Sequence, residues 1–121
     1  MTVPLVAVID DDMELCSSLA DLMRSTGYRA EAFASAETFL TSASGAGADC
    51  IIADVHMRGM GGLDLLRELR ERGVTTPVIL ITALPDKHLD LEATERGALC
   101  FLRKPLETSA LFVCIDRSLR K

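Results

Sequence analysis

Short apolar runs alternate with longer stretches of helical spacing along the whole chain, and this alternation limits the fold more than any other feature. Residues 5–9, 50–53, 78–81 and 98–102 are apolar throughout, and residues 28–33 alternate weakly. A short run apolar throughout reads as a strand covered on both faces. After the first run, Asp11-x-x-Glu14 has the form of a capping box, Leu15, Leu19, Leu22 and Met23 share a helical face, and Gly27 ends the helix. Ser35 can cap a short second helix carrying Phe39, Leu40 and Ala43, and residues 42–48 and 55–62 read as loops. Leu63, Leu65, Leu66 and Leu69 begin a third helix that ends near Gly73. The fourth helix, capped by Asp86 and running through Arg96 to Gly97, is the weakest, since its apolar face is Leu89, Ala93 and at most Leu91. The fifth runs from about Leu106 to the end. Five strand–helix units in succession predict one parallel sheet with helices on both faces, because each crossover is right-handed and needs a covering helix.

A chain of 121 residues suits a single domain spanning residues 1–121. An apolar fraction of 49% with 26% charged residues excludes a disordered chain. The net charge of −5 argues against direct nucleic-acid binding, which relies on Lys and Arg. Cys16, Cys50, Cys100 and Cys114 lie far apart, without metal-ligand spacing, and read as small buried hydrophobes in a reducing compartment. The apolar runs are too short to span a membrane and the start does not resemble a signal peptide, so a cytoplasmic location is expected.

In an open parallel sheet, ligands bind beyond the carboxyl ends of the strands. The first predicted strand ends in Asp10 and Asp11, the third at Asp54, the fourth at Thr82, and the fifth just before Lys104. Only the second ends without an obvious polar group. Taken singly, an aspartate at a helix start is more often a cap than a ligand, a role that Asp12 suits, and a lone Thr or Lys is usually structural or solvated. Together they suit one task. Carboxylates so close repel unless a cation sits among them, and oxygen donors with room for water and phosphate fit Mg²⁺. A carboxylate can serve as a nucleophile that forms an aspartyl phosphate, while an ammonium and a hydroxyl neutralise the phosphoryl oxygens.

These residues resemble the receiver domains of bacterial response regulators. The likeness runs the length of the chain, through V-I-D-D at residues 8–11, I-I-A-D at 51–54, M-x-x-M-x-G-L at 57–63, I-T-A at 81–83 and R-K-P-L at 103–106. S-A-E-T-F-L at 35–40 and R-G-A at 96–98 resemble the FixJ-type branch. The resemblance implies a flavodoxin-like (CheY-like) doubly wound sheet with strand order 2-1-3-4-5 and five helices. It implies Asp54 as phosphoacceptor, Asp11 and Asp54 as direct Mg²⁺ ligands with Asp10 partly through water, and the backbone carbonyl of His56 as a further ligand. Lys104 would bind the phosphoryl group, Thr82 would be the switch hydroxyl, and Phe101 the aromatic that turns with it. The Lys104–Pro105 bond is expected to be cis. In the family, positions like those of His56 and Leu84, two residues past the acceptor and the switch threonine, gate the attacking water. The resemblance therefore implies that they set how long the phosphate lasts, with a solvated loop residue as the alternative for His56. Where the family usually has proline after Met57, this chain has Arg58 followed by Gly59, which should loosen the loop and free one N–H.

A phosphoryl group on Asp54 would draw in Thr82, let Phe101 turn inward and repack the face made by the fourth helix, fifth strand and fifth helix. The last helix carries two apolar stripes, Leu106, Ala110, Val113 and Cys114 beside Leu111, Phe112, Ile115 and Leu119, so that face is expected to meet a partner or a second copy, the alternative being a generous core. The expected partners are a sensor histidine kinase or phosphotransfer protein. The FixJ-type likeness adds a helix-turn-helix output domain beyond Lys121 if the chain is part of a longer regulator. Beyond self-dephosphorylation, no enzymatic activity is expected. A haloacid-dehalogenase-type phosphatase would need a second acid at position 56, where His56 stands, and a flavin-binding protein would need a phosphate-cradling first loop, which is acidic here. An adaptor that works without phosphorylation on the same fold is the alternative left open.

Overall fold

A computed structural model describes residues 3–42, 45–83 and 87–119. The strands are β1 (Leu5–Ile9), β2 (Arg29–Phe33), β3 (Cys50–Asp54), β4 (Val78–Thr82) and β5 (Cys100–Arg103). They alternate with the helices α1 (Met13–Ser25), α2 (Ala36–Thr41), α3 (Gly62–Glu71), α4 (Lys87–Glu95) and α5 (Thr108–Leu119), and a 3₁₀ turn over Gly45–Gly47 precedes β3. The strands form one sheet in the order β2-β1-β3-β4-β5, with every pair parallel, as the sequence leads one to expect. No helix among the described residues is long and apolar enough to cross a membrane.

Every residue of β1, β3 and β4 is buried, which explains why these runs are apolar without alternation. The sheet divides the core in two. Phe33, Phe39, Leu65, Leu66, Leu69 and Ala93 bring α2, α3 and α4 to one face, where Phe33 and Phe39 meet edge to face with centroids 5.3 Å apart. Cys16, Leu19, Met23, Leu111 and Ile115 bring α1 and α5 to the other. Cys16, Cys50 and Cys114 are buried and none of the four cysteines is disulfide-bonded. Burial pushes the Cys50 thiol up to about 11, away from the reactive thiolate.

Several boundaries differ from the sequence expectation for local reasons. The cap of α1 is Asp12, whose carboxylate accepts from Leu15 N–H at 3.3 Å, and the expected Asp11–Glu14 capping box does not form. Asp10 accepts the Asp12 N–H at 2.9 Å, and the helix starts one residue later than predicted. Tyr28 N–H bonds back to Met23 O and Ala98 N–H to Ala93 O, so both residues close helices rather than open strands. Leu106 packs on the core ahead of α5, which starts only at Thr108. Leu91 is 63% exposed and does not belong to the apolar face of α4, whereas Leu89 and Ala93 do pack on the core. The two stripes of α5 do not form as drawn, since Leu111, Cys114 and Ile115 are buried together while Val113 is 59% exposed. Asp86, the expected cap of α4, lies outside the described residues.

Helix α3 begins at Gly62 because the helix rests on the end of β3. A Cβ there would stand 2.6 Å from the Asp54 carbonyl oxygen and 2.9 Å from Leu80 Cδ2. Gly62→Ala should cost about 1–3 kcal/mol of stability through overpacking. The midpoint of urea unfolding reads this, and an unchanged midpoint would mean that the contact relaxes freely.

Candidate functional site

The carboxyl ends of β1, β3, β4 and β5 bring together the groups that the sequence places there. Asp10 follows β1 and is fully buried, Asp54 ends β3 at 5% exposure, and Thr82 ends β4 and is fully buried. Asp11, beside Asp10, is exposed. One ligand atom from each of Asp10, Asp11 and Asp54 lies within 4.8 Å of the others. Lys104, just past β5, reaches into this cluster. Its Nζ donates to Asp54 Oδ2 at 2.8 Å and to Asp10 Oδ2 at 3.0 Å. The following Lys104–Pro105 bond is cis, as expected.

Main-chain donors complete the arrangement. Asp54 Oδ1 accepts from His56 N–H at 3.0 Å. The His56 ring turns toward β4, with Nδ1 3.4 Å from Thr82 Oγ1, so the residue two past Asp54 and the hydroxyl that ends β4 are neighbours. Phe101 on β5 is half-buried and packs against the α2–α3–α4 side of the core. Leu84 lies outside the described residues.

The charges in this cluster do not balance internally. Burial raises the Asp10 carboxyl above its ordinary value, and the Asp54 charge adds to this, against the lowering effect of Asp12 N–H and Lys104. Burial alone would lower the Lys104 ammonium, but its bonds to Asp54 and Asp10 and their charges outweigh it and hold the group above the ordinary lysine value. A raised carboxyl favours the fold in its protonated form. That contribution is complete below 3.8 and is lost as pH rises through the raised value. Asp10→Asn should therefore make the ion-free protein more stable at neutral pH and remove this part of its pH dependence. Urea unfolding across acid to neutral pH reads both, and a less stable variant at neutral pH would contradict the assignment of strain to Asp10.

Three carboxylates around one point are hard oxygen donors, and the residual strain at Asp10 is of the kind that a divalent cation relieves, so the donor set fits Mg²⁺.

Two residues at this edge have roles that the sequence does not announce. Glu37, in the first turn of α2, accepts from Met60 N–H in the β3–α3 loop at 3.1 Å. The N–H that Arg58 carries in place of proline is not left free, because it donates to Asp11 Oδ2 at 3.1 Å. The Arg58 departure could be seen in the sequence, but its partner could not. Glu37 reads locally as an ordinary acid at a helix start.

Comparison with known proteins agrees with this fold. The response regulator receiver domain profile matches residues 6–116. The transcriptional regulatory protein FixJ of Azorhizobium caulinodans is 40% identical over 94% of this chain and 54% of its own length. The response regulator protein TodT of Pseudomonas putida is 35% identical over 95% of this chain and 51% of its own. The crystal structure of FixJ-N superposes with a TM-score of 0.89 at 31% identity, covering 98% of this chain and 95% of that one. The chain belongs to the response regulator receiver domain family of two-component systems. It spans about half the length of these curated relatives.

Proposed function

We propose that this receiver domain, read as one unit over residues 1–121, takes a phosphoryl group on Asp54 from a histidine kinase or phosphotransfer protein and relays its presence to an output. The observation that carries the reading is the bridge from Lys104 Nζ to Asp54 and Asp10 at 2.8 and 3.0 Å, with Asp11 alongside. A carboxylate, an ammonium and an acidic cluster at one sheet edge support that reading, because they can serve as nucleophile, phosphoryl-binding group and metal ligands. Asp10, Asp11 and Asp54, with the His56 carbonyl, would hold Mg²⁺, which supplies neutralising charge for the phosphoryl oxygens. Asp54 attacks phosphorus, the donor's P–O or P–N bond breaks, and Lys104 stabilises the charge left on the transferred group. His56 beside Thr82, together with Leu84, sets how fast water removes the phosphate. The domain is a switch, whose only turnover is this self-dephosphorylation.

The switch runs through Thr82. Its hydroxyl leaves the neighbourhood of His56 for the phosphoryl group, and Phe101, half-buried as it stands, turns further inward into the space that Thr82 vacates. The α4–β5–α5 face then repacks. Exposed Leu91 and Val113 give it an apolar surface for a second copy or for an output domain, which we read, on the FixJ-type resemblance alone, as a helix-turn-helix that follows in a longer regulator. Beside the site, a groove of about 300 Å³ lined by Leu15, Leu19, Leu22, Pro105, Leu106 and Leu111 gives a cytoplasmic protein donor an apolar footing next to Asp54. The direct test is intact mass after incubation with acetyl phosphate and Mg²⁺. One acid-labile phosphoryl group is expected. No gain, with Mg²⁺ bound and with a histidine kinase also failing as donor, would leave the phosphorylation-independent adaptor.

A further inference from the structure

Arg58 adds a main-chain donor at the rim of the acidic site, where proline has none. The donor is used: Arg58 N–H to Asp11 Oδ2, at 3.1 Å, ties the β3–α3 loop to the loop after β1. One Asp11 oxygen is thereby held, in the same arrangement in which the ligand atoms of Asp10, Asp11 and Asp54 lie within 4.8 Å of each other. Asp11 is the exposed member of the three, so its side chain has the most rotamer freedom to lose when an ion is bound.

The loop has a second anchor two residues on. Met60 N–H donates to Glu37 Oε2 at 3.1 Å. Between the anchors, Gly59 has φ +75°, and a Cβ there would stand 2.5 Å from that same Glu37 oxygen. The carboxylate of Glu37 can lie flush against the loop only because position 59 has no side chain. The short segment from Arg58 to Met60 is thus gripped at both ends by carboxylates from other elements.

We propose that the Arg58 main-chain N–H is a positioning group for Mg²⁺ binding: it holds Asp11 in its ion-ready orientation, and Glu37 braces the loop that carries it. This rests on the reading of Asp10, Asp11 and Asp54 as the Mg²⁺ ligands. The role belongs to the backbone of residue 58 and not to its guanidinium, which makes the substitutions diagnostic. Arg58→Ala keeps the N–H and should leave Mg²⁺ affinity within about twofold of wild type. Arg58→Pro removes it and should weaken affinity about three- to tenfold, the net effect of one ordinary hydrogen bond at an exposed carboxylate. Glu37→Ala should weaken it by about twofold, since the brace acts at one remove.

Titration with Mg²⁺ alone, followed by amide shifts in proton–nitrogen spectra, gives the affinities and shows that each variant is folded. Hydrogen exchange in the ion-free wild type gives a readout that needs no metal: the Arg58 amide should be protected, and should lose protection in Asp11→Ala. A folded Arg58→Pro protein that binds Mg²⁺ as tightly as wild type, or tighter, overturns the proposal, and so does an unprotected Arg58 amide. A wild type that binds no Mg²⁺ overturns the metal reading as well, which separates the two failures.

Discussion

Asp54→Ala is expected to abolish phosphoryl uptake from acetyl phosphate in the presence of Mg²⁺, a loss of about a thousandfold or more. No neighbouring acid can replace it. Asp10 is fully buried and bonded to both Lys104 Nζ and Asp12 N–H, and Asp11 is turned to Arg58 N–H. Asp54 alone combines 5% exposure, a place at the end of the central strand β3 and a direct bond to Lys104. The substitution should leave the fold intact, because it removes one of two buried like charges and leaves Lys104 paired with Asp10. Intact mass and urea unfolding together check both halves. Wild-type levels of phosphorylation in a folded Asp54→Ala protein would place the acceptor elsewhere.

Lys104→Ala should act in opposite directions on stability and on metal binding. The ammonium is the cation that now compensates two buried carboxylates. Removing it leaves Asp10 and Asp54 uncompensated and should destabilise the ion-free protein by about 2–4 kcal/mol. It also removes a positive charge from the edge of the site, so Mg²⁺ should bind more tightly and recover much of the lost stability. The pH dependence has a definite sign. The folded-state value of Lys104 is raised, so its contribution is complete below 10.5 and is lost as pH rises through the raised value. The wild type should therefore lose stability on the alkaline side where the variant does not. Urea unfolding with and without Mg²⁺, at neutral and alkaline pH, reads all of this. A variant as stable as wild type without Mg²⁺ would show that the bridge contributes nothing net.

What could be read in the sequence was what is decided locally. Burial on both faces makes β1, β3 and β4 apolar without alternation, and the polar group that ends each run is adjacent to it in sequence, so Asp10, Asp54 and Thr82 are legible from strand pattern alone. Lys104 is legible as the residue before a proline that follows the last strand. The errors came where a long-range or side-chain bond outweighed the local pattern. Asp10 takes the Asp12 N–H, and the cap of α1 is Asp12, a role that it suits, and not the Asp11-x-x-Glu14 box. Tyr28 and Ala98 have strand-like neighbours but are held by carbonyls of the preceding helices. The apolar stripes of α5 could be counted but not oriented, since the sheet it covers, and not its own sequence, decides that Val113 faces outward. Glu37 was not legible as part of the site at all, because its bond to Met60 spans 23 residues and its position at a helix start already explains an acid.

Chemical trapping of the acceptor tests the account at its centre. Aspartyl phosphate is reduced by borohydride to homoserine, so the protein treated with acetyl phosphate and Mg²⁺, then with borohydride, records its acceptor as a change at one position in a peptide mass map. Homoserine at position 54 and nowhere else is the expected result. Homoserine at position 10 or 11, or a phosphoryl group carried on His56 or His88, would contradict the account.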